Sequence, residues 1–193
     1  MSATHEIPTS ADDLVASDAE KACLAKLREL VGSPNGPIER HSVRVALIAE
    51  ELARHSARPI DRELVVCASL LHDAGLYPGA ATRQAYVSDG RVLAQELLAE
   101  LGWTGDRLRL CGDAVERHHE LTPQWGRGAE VELIRRADLV EVSQTLVSFG
   151  LPRPWLRTMR SDIPVDGFLP EVLRQLAVAA RKRPASLPRI FHP

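Results

Sequence analysis

Apolar residues recur along this chain at spacings of three and four, in stretches cut by glycine- and proline-bearing breaks, and that rhythm belongs to amphipathic helices. Ser17 and Glu20 form a capping-box pair ahead of a helix with Leu24, Leu27 and Val31 on one side, and the stretch 32–37 ends it. A second helix is predicted at about 38–56. Asp61 can cap a third, whose core 64–71 is apolar almost all round and therefore belongs inside; Gly75 and Pro78 end it. Residues 77–90 have no period and read as irregular. Helices follow at about 91–101 and 106–120, with Gly102 and Gly105 between them, then a loop at 122–128 and a helix at about 130–148. The proline-rich stretch 150–170 should wrap the surface with at most a short helix, and a last helix covers about 170–182. No stretch alternates strictly enough for a strand, and no repeat is visible. The predicted fold class is all-α: a flexible arm at 1–16, one helical domain at 17–183 and a tail at 184–193.

Composition agrees with this. A chain of 193 residues can bury a core of its own, and with only 4% aromatics that core must be built from Leu, Val and Ala, which favours helices over a β-sandwich. A formal net charge of -2 gives no bulk electrostatic reason to expect a nucleic-acid polymer or a membrane as partner. The run Arg181, Lys182, Arg183 reads as a solvated helix end whose cations suit the helix dipole. Cys23, Cys67 and Cys111 are odd in number, form no CxxC pair and sit among apolar residues, so buried reduced thiols are expected. Nothing near Met1 resembles a signal peptide and no run reaches membrane-spanning length, which makes a cytoplasmic location the expectation.

The candidate chemistry lies in polar residues on apolar faces. His41 is in register with Val45, Ile48 and Leu52, and so points inward. Asp138 shares a face with Val131, Ile134 and Val142, where an unpaired carboxylate would cost several kcal/mol. His72 and Asp73 close the most apolar helix of the chain. Taken singly, each has an ordinary explanation: a satisfied core histidine, or an aspartate paired with an arginine such as Arg135 or Arg136. Taken together, three inward polar sites are satisfied most economically by one shared cation, and imidazole with carboxylate suits zinc, iron, manganese and related ions. On the helix at 106–120, His118 and His119 fall roughly 50° to either side of the stripe formed by Leu108, Cys111 and Val115, so both can reach one cavity.

The order His41, His72-Asp73, Asp138, carried by "ERHSVRVALIAEEL", "ASLLHDAGL", "AVERHHE" and "RRADLVEV", resembles the HD-domain superfamily of metal-dependent phosphohydrolases. The resemblance implies an HD-type helical bundle with a metal-site core at 38–148. In it His41, His72, Asp73 and Asp138 bind a divalent metal (Mn, Fe, Zn, Co or Ni, with Mg also acceptable), as one ion or two. It also implies that Asp73 bridges where two ions bind, and that His118 and His119 are second-metal ligands or contacts to a substrate oxyanion. The chain lacks the Glu that the nucleotidase branch carries after HD. It has Leu76 where the cyclic-dinucleotide branch has Lys. The segments "HDAGLYP", "SDGR" and "HH" are also similar to cyanamide hydratase-like HD proteins, where water adds to a nitrile-like carbon.

The activity expected first is therefore hydrolysis of a nucleotide or other phosphate ester by a metal-activated hydroxide. Asp73 would take up a proton, and His118 or His119 would stabilise charge or protonate the leaving group. Arg44, Arg83 and Arg91 are placed to meet a phosphate, and Tyr86 and Trp125 to stack on a base, although surface and core roles suit them equally. A pocket with few cations would point instead to hydration or hydrolysis of a small uncharged C–N compound. A non-catalytic nucleotide-binding domain is the third reading. The partner expected throughout is a small molecule, phosphorylated in the first case, and a homodimer is compatible with all three.

Overall fold

In the computed structural model, which describes residues 7–80 and 85–182, every regular element is helical. A single turn, α1 (Ala11–Leu14), precedes α2 (Asp18–Val31). The capping box starts α2: Ser17 Oγ accepts from the Glu20 N–H while the Glu20 carboxylate accepts from the Ser17 N–H. Pro37 opens α3 (Pro37–His55) at the first helical position, where its missing N–H costs nothing. The Asp61 carboxylate accepts from the Leu64 N–H to start α4 (Arg62–Leu71). Two 3-10 turns, Ala74–Leu76 and Pro78–Ala80, lead to α5 (Tyr86–Glu100), α6 (Gly105–Glu116), α7 (Ala129–Val142), α8 (Arg153–Asp162) and α9 (Phe168–Lys182).

Helix α4 is buried at every position from Leu64 to Leu71, as its all-round apolar pattern requires, and forms the centre of the bundle against α2, α3 and α6. Around it α3 lies along α7 and α5 along α6, while α9 leans on α3 and the first 3-10 turn. All three cysteines are buried and free. No helix is long and apolar enough to cross a membrane among the described residues.

The differences from the sequence reading have local causes. Within the expected loose arm, Ala11 and Leu14 are buried, and Arg62 Nη2 donates to the Leu14 carbonyl at 2.9 Å, so this part is tied down. Residues 1–6, the tail and Arg183 lie outside the described residues. Helix α5 begins at Tyr86, inside the stretch read as irregular, and Gly90 lies within it in close contact with α6: a Cβ there would meet Val115 Cγ1 at 3.1 Å. Helix α6 stops at Glu116, so His118 and His119 ride on the following turn and not on the helix itself. Helix α7 ends at Val142, where Gln144 and Thr145 take positive φ, and the proline-rich stretch contains the ten-residue α8.

Candidate metal centre

Three elements bring the inward polar residues to one point. His41 comes from the first turns of α3, His72 and Asp73 from the end of α4, and Asp138 from the last turns of α7. His41, His72 and Asp138 are almost wholly buried, and Asp73 is 6% exposed. The Nε2 atoms of His41 and His72 face each other at 3.0 Å. His41 Nε2 lies 3.3 Å from Asp138 Oδ1, and His72 Nε2 lies 3.4 Å from Asp73 Oδ2. The diagonals of this ring are wider: 3.7 Å from His41 to Asp73 and 3.9 Å from His72 to Asp138.

These separations fit a shared ion. Donors about 2.1 Å from one cation lie about 3.0 Å apart at right angles and about 3.4 Å apart at the tetrahedral angle. The tautomer fits as well. His72 Nδ1 lies 2.7 Å from the Ser69 carbonyl and donates to it, which leaves Nε2 of the neutral ring as a lone pair aimed at the centre. With no ion between them, the two acids act on the imidazole: burial draws His72 down, but Asp73 and Asp138 outweigh it and lift its pKa to about 9. Burial pushes Asp73 and Asp138 upward, and the surrounding imidazoles reverse this, holding both well below the usual carboxylate range. The cluster is built to keep its acids charged.

His118 and His119 arrive from the turn after α6 and approach the second oxygens of the same two acids. His118 Nδ1 lies 2.6 Å from the Val115 carbonyl and donates to it, while its buried Nε2 has no hydrogen-bond partner and lies 3.7 Å from Asp73 Oδ1. Burial pushes this imidazole down to about 3, and the neighbouring His119 and His72 add to the shift. His119 Nδ1 lies 3.3 Å from Asp138 Oδ2. Burial opposes its charged form, but Asp138 prevails and raises its pKa. Three triads could each hold an ion: His41–His72–Asp138, His72–Asp73–His118 and His118–His119–Asp138. Asp138 belongs to two of these sets, with Oδ1 toward His41 and Oδ2 toward His119.

A cavity of about 490 Å³ opens on Asp73, Asp138 and His119. Tyr86 lines it beside His119, with ring centroids 6.0 Å apart, and Phe168 stacks on His41 with centroids 4.0 Å apart. Of the arginines read as phosphate contacts, neither Arg44 nor Arg91 lines this cavity. Arg44 is fully buried, its Nε held by Glu141, and Arg91 binds Asp113 and Glu116; Arg83 lies outside the described residues. Trp125 lines a different cavity. Val142, read as part of the inward face of its helix, is 44% exposed and lines the cavity mouth. Sequence reasoning missed Glu141, Arg160 and Phe168 as cavity residues. Glu141 was legible as the residue one turn beyond Asp138, whereas nothing in the proline-rich stretch announced that α9 returns over the site.

The HD domain family model matches residues 38–143, which span all six of these histidines and acids, and the chain belongs to the HD domain family. Its class of chemistry is metal-dependent hydrolysis. No curated protein matches the sequence.

Proposed function

We propose that this protein is a hydrolase in which His41, His72, Asp73 and Asp138 hold one divalent transition metal and water is delivered to a neutral electrophile, such as a small C–N compound, carried on an apolar body. The observation that carries the choice of substrate is the wall of the 490 Å³ cavity. Apolar side chains supply most of it, Leu76, Val165, Phe168, Val172 and Leu176 among them. Among the described residues its one guanidinium is Arg160, already bound to Glu141 at 3.1 Å. A phosphate ester would bring its charge to a wall holding three carboxylates and that single arginine, whereas phosphate sites gather guanidinium and ammonium groups. Within the cavity wall the phosphohydrolase reading draws its cations from Arg160, His119 and the ion.

When bound, a divalent ion supplies Lewis acidity, which brings the pKa of water toward neutrality and stabilises developing negative charge. The mixed nitrogen and oxygen donors suit Mn, Fe, Co, Ni or Zn. Asp73, with its Oδ1 turned away from the four-donor ring, is the acceptor for the proton that water gives up. His118, kept neutral with Nε2 free, serves as an acceptor or as the first donor of a second ion site. His119 lines the cavity and carries a raised pKa, so it is the donor that returns a proton to the product nitrogen. Phe168 and Tyr86 exclude bulk water from the reacting atoms.

Metal-replete protein should be assayed against cyanamide, small nitriles and amides, nucleoside monophosphates and p-nitrophenyl phosphate. The expected result is turnover of a neutral compound, lost in His72→Ala and Asp138→Asn, with phosphate release at background. Phosphate release faster than turnover of every neutral compound, and lost in the same two variants, refutes the neutral substrate in favour of phosphoester hydrolysis.

A further inference from the structure

A second cavity, of about 320 Å³, lies at the other end of α3 from the metal centre. His55, on its edge, is fourteen residues beyond His41 on the same helix, which separates them by about 21 Å along the axis. This volume is at the small end of the range for ligand pockets, about 300–1,000 Å³. Leu52 and Leu133 form an apolar floor, and the rings of Trp125 and Phe149 stand beside them.

The charged groups here are of one sign. Arg58, Arg136 and His55 line the cavity, and among the described residues no carboxylate does. Arg58 lies over the Trp125 ring, 4.2 Å from its centroid, and has no carboxylate partner among the described residues. Arg136 lies 4.9 Å from the same ring and 4.6 Å from that of Phe149. Its only ion-pair acid among the described residues, Glu132, is shared: Arg135 binds it at 2.8 Å and Arg136 at 2.7 Å. One negative charge thus stands against two guanidiniums. A guanidinium stacked on a ring engages its face, which leaves the in-plane N–H donors for an anion.

The backbone adds an independent sign. Phe149 holds its ring at this cavity from the left-handed region, φ 47°, a strained conformation that a bulky side chain rarely adopts. Such strain persists where the surroundings over-determine it, and clamps around ligands are one such place.

We infer that this cavity binds a planar organic anion: an aromatic or heteroaromatic ring bearing a phosphate, sulfonate or carboxylate. The ring packs between Phe149 and the leucine floor, and the anionic group meets Arg58 and the half-neutralised Arg136. Whether the natural ligand is a nucleotide or an aromatic acid, the recognising chemistry is the same. The site is separate from the metal centre and needs no turnover.

The test is calorimetric titration of the full chain with naphthalene-2-sulfonate, which has no bond that a phosphohydrolase or nitrile hydratase would cleave. Sulfate supplies the charge without the ring, and naphthalene-2-methanol the ring without the charge. Adenosine 5′-monophosphate and 2-naphthoate then rank the two sources. The expected result is one saturable site per chain for the sulfonate, with each half-probe at least tenfold weaker. Arg58→Ala, an exposed position whose change leaves the core intact, should weaken binding about tenfold, and Arg58→Lys should recover part of the loss. Saturable binding that survives Arg58→Ala, equal binding of naphthalene-2-methanol, or no saturable binding of any anion overturns the inference. So does binding that Phe168→Leu removes and Arg58→Ala does not, since that would place the probe in the metal-site cavity.

Discussion

The sharpest structural prediction concerns Gly75, two residues beyond Asp73. A Cβ at this position would lie 1.8 Å from the Tyr86 carbonyl oxygen, 2.7 Å from the Gly90 N and 2.9 Å from the Tyr86 carbonyl carbon. All three are backbone atoms, so no rotamer change can relieve the contact. Restoring ordinary van der Waals separation requires the first 3-10 turn and the start of α5 to part by roughly 1.5 Å. Overpacking of this sort costs about 1–3 kcal/mol and more where backbone must move, which puts Gly75→Ala at about 3 kcal/mol or above. For a domain of this size that is a fall of about 6–12 °C in melting temperature. The same displacement moves the Asp73 carboxylate on one side and Tyr86 on the other, so metal affinity should fall with stability. Gly126→Ala is the control, because nothing lies within 4 Å of its would-be Cβ, and it should stay within about 0.5 kcal/mol of the parent. The assay is thermal unfolding with and without added manganese, beside metal content by elemental analysis. A Gly75→Ala protein that melts within about 2 °C of the parent and retains full metal would refute the close-packing argument.

Three further outcomes are expected. Chelation should lower the melting temperature, and re-addition of metal at a thousandfold over its Kd should restore about 4 kcal/mol, or about 8–16 °C; Asp138→Asn should abolish that response, and an undiminished response would remove Asp138 from the ligand set. Arg44→Met should cost about 1–3 kcal/mol in urea unfolding because it leaves buried Glu141 with Arg160 as its remaining partner, and the Arg44→Met, Glu141→Leu double variant should recover at least half of that loss. Glu171 accepts from Arg174, Gln175 and Tyr77, which hold its pKa down at about 2 against an ordinary 4.5. A depressed pKa adds stability above pH 4.5 that disappears as pH falls toward 2. The melting gap between the parent and Glu171→Gln should close over that window, and a gap independent of pH would show that Glu171 does not tether α9 through its charge.

Much of this architecture was legible because helix patterning and buried polarity are both local signals. Ser17 with Glu20 and Asp61 mark helix starts in the sequence, and each does so in the structure; Pro37, read as the end of a break, opens α3 instead. The inward register of His41 and Asp138 followed from the apolar side chains four, seven and, for His41, eleven residues away. Two kinds of information were not local. The stretch 77–90 had no period, but Gly90 within it lets α5 approach the turn after His72, a contact between segments that the pattern does not connect. The return of α9 over the site depends on Arg40 and Arg44 donating to carbonyls between Ile163 and Asp166, which no periodicity encodes. The cavity wall, and with it the preference among substrates, belongs to that second kind.

The two central helices repeat one device. On α3, His41 is followed three residues later by Arg44; on α7, Asp138 is followed three residues later by Glu141. The first members meet at 3.3 Å in the metal centre, and the second members form a buried ion pair one turn away. A buried pair of this kind contributes little net stability, but sliding α3 against α7 would separate the two charges, leaving Glu141 with Arg160 and Arg44 with the carbonyls of Ile163 and Pro164. The Arg44–Glu141 pair therefore acts as a register lock, and the distance it fixes is the one between His41 and Asp138. The metal centre is left with two acids held ionised in a nearly dry interior and a His118 nitrogen with no partner. A proton shared through His72 neutralises one of those charges; a divalent ion neutralises both. The fold holds these donors in place, with both acids charged where a divalent ion would meet them.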